Sequence, residues 1–93
     1  MNLKDVAKAV IEKYGKTMQT VIAIEEMSEL TKELTKAIRG SENHDAIVEE
    51  VADVYIVLHE IQIMYDINLN EVFKEMEFKT ERMKERLEED ESV

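Results

Sequence analysis

Two glycines, at positions 15 and 40, and no proline are all the strong backbone punctuation that this 93-residue sequence carries. Glycine and proline are the residues that stop regular structure, so a chain so poor in them runs in long elements. Between them Glu, Lys, Leu, Ala and Met are abundant, and these residue types lose least on entering a helix. The pattern predicts an all-α protein with helices over about 3–14, 17–39, 45–65 and 69–88, then an acidic tail at 89–93. Gly15 is expected to end the first helix as a left-handed residue, with Thr17 capping the second, which Gly40 closes. Asn43 or His44 is the expected cap of the third helix, and Asn68 with Glu71 forms a capping-box variant ahead of the fourth.

The apolar residues say how these helices pack. Val21-Ile22-Ala23-Ile24 is apolar on every side of the second helix. In the third, Ile47, Val48, Val51, Val54, Tyr55, Ile56, Val57, Leu58, Ile61, Ile63 and Met64 cover most of the circumference. That stretch is β-branched, but it is longer than a strand and does not alternate, so helix is the better reading. A helix apolar all round is buried all round, which one chain of this size does not readily arrange. Alone, a domain this small buries only about 60–65% of its unfolded surface. The expectation is a single domain, 1–93: a four-helix bundle-like protomer completed by oligomerisation, as a dimer or more readily a tetramer.

Twelve Lys and Arg stand against 22 Asp and Glu, a net charge of −10. Binding to nucleic acid or to an anionic membrane needs basic surface that releases counterions, so both are disfavoured as partners. No cysteine is present, which leaves neither a disulfide framework nor a thiolate metal site. No apolar run approaches the roughly 18 residues of a membrane span, and the N-terminus lacks a signal-peptide pattern. A cytoplasmic protein is therefore expected.

Two short acidic words, twenty-odd residues apart, carry the chemistry. The first is Glu25-Glu26-Met27-Ser28-Glu29 and the second Glu49-Glu50-Val51-Ala52-Asp53. Each holds two carboxylates at i and i+3, on one face of a helix. At about 100° per residue, Glu26 and Glu29 border the stripe of Ala23, Met27, Leu30, Leu34 and Ala37. Glu50 and Asp53 stand among Ile47, Val54, Val57 and Met64. An unpaired carboxylate is costly to desolvate there, and four facing one another repel. A divalent cation between them removes the difficulty, and oxygen-only ligation indicates Mg²⁺ or Mn²⁺ in preference to zinc. The plainer alternative is a charged helix face paired with Lys32, Lys36 and Arg39.

Other candidates are weaker. Gly15-Lys16-Thr17 echoes the end of a P-loop, but Val10 stands where that loop needs its first glycine and no strand precedes it. Neither His44 nor His59 has a Glu three residues before it, as a carboxylate-bridged di-iron bundle requires; both read as structural. Tyr55 either orders a ligand or packs in the core. Lys79 and Arg82, i and i+3 on the fourth helix with Arg86 a turn further, are either ordinary ion-pairing residues or a clamp for phosphates.

The segments I-E-E-M-S-E-L-T-K-E-L-T-K-A-I-R-G, I-V-E-E-V-A-D-V and F-K-T-E-R-M-K-E-R-L, between Tyr14 and Leu87, resemble the MazG-like nucleotide pyrophosphohydrolases. These belong to the all-α NTP pyrophosphatase superfamily, whose signature is ExxE, a gap, then ExxD. Glu26-x-x-Glu29 and Glu50-x-x-Asp53 fit it. The resemblance implies a nucleoside triphosphate as substrate, cut between its α- and β-phosphates to a monophosphate and pyrophosphate with Mg²⁺. It implies Glu26, Glu29, Glu50 and Asp53 as metal ligands, and Lys79 and Arg82 as phosphate contacts. Glu25 is implied as a supporting group or the base. It further implies a tetramer built from dimers. The reading of another class is a non-catalytic helical oligomer that binds a partner or senses nucleotides.

Overall fold

A computed structural model describes residues 2–91. They form four helices, α1 (Leu3–Tyr14), α2 (Lys16–Ile38), α3 (His44–Met64) and α4 (Leu69–Glu91), and no strand. Asn2 caps α1, its side chain accepting from the Asp5 N–H at 2.9 Å. Gly15 has φ +90° and ψ 157°, a region that only glycine enters without strain. It serves both helices: its N–H donates to the Ile11 carbonyl at 2.8 Å, and its own carbonyl accepts from Gln19. Thr17 is therefore not a cap but a residue of the first turn of α2, because a one-residue joint leaves no place for one.

Gly40 closes α2 as expected, at φ +97°. Its N–H bonds to Ala37 and that of Ser41 to Lys36, a Schellman pair that satisfies the last carbonyls. The end of α3 repeats this with Asp66, at φ 51°, the Ile67 N–H reaching the Gln62 carbonyl; Asp tolerates the left-handed region better than most side chains. Asn43 occupies the cap position of α3 without capping it. Its amide donates instead to the Glu33 carbonyl at 2.9 Å and the Glu33 carboxylate at 3.1 Å, so it ties the loop back to α2. Asn68 does cap α4, accepting from the Asn70 N–H at 2.8 Å. The acidic stretch from Glu88 stays helical to Glu91; residues 92 and 93 of the expected tail lie outside the described residues.

Packing is concentrated where α2 runs against α3, with α1 laid across both. The closely buried apolar residues are small, Ala7, Ala23 and Val57, and let the backbones approach. Between them lies a polar pair: Gln19 and Glu60 are 4% and 6% exposed, the Gln19 amide donating to Glu60 Oε1 at 2.7 Å. Around this centre Ile22, Leu30, Ile47, Val54 and Ile61 are half-buried, while Val21, Ile24, Tyr55 and Leu58 stand exposed. One chain thus covers only part of the apolar circumference of α2 and α3.

The fourth helix is the outlier. All of its residues from 69 to 90 are exposed, and it adds almost nothing to the packing of the other three. Its first turns and α3 flank a groove of about 540 Å³, lined by Tyr55, Leu58, His59, Gln62, Leu69, Phe73 and neighbours. None of the described helices is long and apolar enough to cross a membrane.

Candidate functional site

The α2–α3 contact brings the two acidic words together. Glu26 lies seven residues, two turns, beyond buried Gln19, and Asp53 lies seven before buried Glu60. The upper carboxylates therefore lie on the same stripes of α2 and α3 as the hydrogen-bonded lower pair, two turns along. Oxygens of Glu26, Glu50 and Asp53 all lie within 4.8 Å of one another. All three residues are half-buried. Among the described residues no other set of three acids or histidines converges so closely.

Their electrostatics are those of a site short of positive charge. The Glu26 carboxyl is held above its ordinary pKa by desolvation first, then by the charge of Asp53, a hydrogen bond with Asp53, and the charges of Glu50 and Glu29. Glu50 is raised by desolvation, then by Asp53, Glu29, Glu49 and Glu33. Each cause acts upward, and none is a cation. Glu50 Oε2 is buried without a hydrogen-bond partner among the described residues. Buried polar atoms are nearly always partnered, so this oxygen is free to accept from a group that the chain itself does not supply.

The other predicted residues fall outside that trio. Glu29, a turn beyond Glu26, is exposed and acts on Glu26 and Glu50 through its charge. Glu25 is exposed on the neighbouring face of α2. Glu33 has a different character, its pKa lowered by the Asn43 amide and by Lys36, whose Nζ lies 3.2 Å from Glu33 Oε1. Lys79 and Arg82 are on α4, exposed, with the Arg82 guanidinium 5.8 Å from the Phe78 ring centre. They share one helix face with Met83 and Arg86, and the single chain does not pack that face onto α2.

Tyr55, 71% exposed, neither packs in this chain's core nor joins the cluster. His59 lines the α3–α4 groove with Nε2 buried and unpartnered among the described residues, and Lys16 caps the Tyr65 ring at 4.3 Å. The Gln19–Glu60 pair went unread in the sequence, although its heptad spacing from Glu26 and Asp53 was present there. Comparison with protein-family models, curated proteins and solved structures finds no match to this chain.

Proposed function

We propose that the protein is a Mg²⁺-dependent nucleoside triphosphate pyrophosphohydrolase, converting an NTP or dNTP and water to the monophosphate and pyrophosphate. The observation that carries this is the convergence of Glu26, Glu50 and Asp53 around an unpartnered, buried Glu50 oxygen. The donor set suits Mg²⁺ or Mn²⁺: it is all oxygen, and three carboxylates supply the negative charge that a hard divalent ion takes. Glu26, Glu50 and Asp53 would hold the ion, with Glu29 one turn away as the fourth acid. Held by these carboxylates, such an ion would supply positive charge against the triphosphate and against the charge that develops as the α–β bridging P–O bond breaks.

The chain's own residues do the rest. A −10 protein repels a polyphosphate, so substrate approach depends on locally supplied positive charge, the role we assign to Lys79 and Arg82. Glu25, exposed on the neighbouring face of α2, is the residue we assign to support the site or to accept a proton from the attacking water. The half-buried setting of the acids limits solvent access and strengthens each interaction there. We place the protein in the cytoplasm and propose a homo-oligomer, since large apolar side chains stand exposed on all four helices. The test is a panel of NTPs and dNTPs with Mg²⁺, read by pyrophosphate release. Release that disappears on chelation and in Asp53→Asn is the expected result. No release from any nucleotide would leave the non-catalytic oligomer as the better account.

A further inference from the structure

The groove between α3 and α4 lies on the far side of α3 from the carboxylates. Tyr55 and Gln62, which line it, stand about 160° and 180° around that helix from Asp53 at roughly 100° per residue. Its α3 wall runs from Tyr55 to Gln62 and its α4 wall from Leu69 to Met76. Ile67, in the turn that joins the two helices, lines its closed end. Each wall is about two turns, or roughly 11 Å, long.

These dimensions and walls restrict what fits. A volume of about 540 Å³ is that of a small-molecule site. A partner helix, ordinarily about three to four turns long, would find only two turns of wall. No Lys, Arg, Asp or Glu is among the described residues that line the groove, so an ionic occupant would lose its hydration without gaining a countercharge. One wall group asks for more than apolar contact. His59 Nε2 is buried with no hydrogen-bond partner among the described residues, a state that folded proteins rarely leave standing. The His59 side chain is half-buried, and its ring torsion has two broad wells roughly 180° apart, so a turn of the ring presents that nitrogen to the groove. An imidazole nitrogen donates or accepts according to tautomer. A hydroxyl group satisfies it either way.

We infer that the α3–α4 groove binds an uncharged, ring-bearing small molecule, its apolar body between Leu58 and Phe73 and its hydroxyl on His59 Nε2. Aromatic rings suit the walls, since Tyr55 and Phe73 offer edges and faces for offset or edge-on packing. Apolar side chains of a second copy would fill the same volume but leave the histidine nitrogen as it stands. Binding here is independent of the proposed hydrolysis, because groove and carboxylates occupy opposite sides of α3.

The probes are β-naphthol and naphthalene, which differ by the hydroxyl alone. Heteronuclear NMR titration of the full chain should show one saturable β-naphthol site, with shifts confined to Tyr55–Gln62 and Leu69–Met76, and weaker binding of naphthalene. His59→Leu should weaken β-naphthol about two- to tenfold, the loss of one ordinary hydrogen bond, and leave naphthalene nearly unchanged. Leu58→Trp should block both probes by filling the groove; Leu58 is exposed in the single chain, and far-UV circular dichroism checks that each variant still folds. Equal weakening of both probes in His59→Leu would overturn the inference, because the hydroxyl would then not meet the histidine. No saturable binding would also overturn it, and sedimentation showing an oligomer that Leu58→Trp dissociates would assign the groove to a second copy. Pyrophosphate release plays no part in these readings, so binding without hydrolysis supports the site and refutes the enzyme, while hydrolysis without binding does the reverse.

Discussion

Replacing Gln19 by Leu probes the polar pair at the centre of the three packed helices. The substitution keeps most of the volume and removes the amide that donates to Glu60 Oε1 at 2.7 Å. Glu60, 6% exposed, is then left with a buried acceptor that neither water nor protein satisfies. Hydrogen bonds to charged groups contribute about 1.5–3 kcal/mol, and a charged group stranded without its partner costs at least that. A loss of about 2–3 kcal/mol is therefore expected. In a domain of this size that lowers Tm by roughly 8–24 °C.

The double replacement Gln19→Leu/Glu60→Leu removes both partners, and burying apolar groups in place of a polar pair is close to neutral. It should regain most of the stability, giving a coupling of about 1.5 kcal/mol or more between the positions. Urea melts followed by far-UV circular dichroism, at one protein concentration so that assembly is held constant, measure all four corners of the cycle. If Gln19→Leu costs under about 0.5 kcal/mol, or the double variant loses the sum of the singles, the pair does not hold α2 in register with α3.

Further outcomes follow from the carboxylates and from α4. Mn²⁺ or Mg²⁺ at a hundredfold excess over Kd should stabilise the native state by about 2.7 kcal/mol; the shift should vanish in Asp53→Asn, and its presence there would refute the ligand set. Asp53→Asn and Glu50→Gln should abolish turnover yet melt at or above the wild-type temperature without metal, because each relieves repulsion among Glu26, Glu50 and Asp53. Glu26 and Glu50 have folded pKa values above their ordinary ones, so the folded state holds protons that the unfolded state releases. The metal-free protein should therefore gain stability as pH falls from neutral through those raised values and lose it as pH rises through them. Glu33, lowered, contributes oppositely and loses its share only at more acidic pH. A Tm–pH series on wild type and Glu50→Gln, in which the variant shows the weaker rise, checks this. Arg82→Ala should lower kcat/KM at least tenfold, about 1.4 kcal/mol, with partial rescue by Arg82→Lys and little effect from Arg86→Ala; equal small losses at 82 and 86 would return both to ordinary surface.

Helix limits were legible in the sequence because their causes are local. Gly40 and Asn68 act on the backbone within a few residues of themselves, and the four observed helices start and stop near the expected positions. Thr17 misled because a capping residue type says nothing about whether a single glycine already joins two helices. The i,i+3 spacing of the acidic words likewise placed each pair on one helix face. Which carboxylates converge was a matter of the rotation of α2 against α3, and the tertiary structure chose Glu26, Glu50 and Asp53 while leaving Glu29 outside at the rim. Least legible was α4. A stripe from Leu69 to Leu87 has the same period whether the helix packs on its own chain or on another, because periodicity records that a face is to be covered and not by what. Only the fold, by sending α4 away on the far side of α3, separated Lys79 and Arg82 from the carboxylates of their own chain.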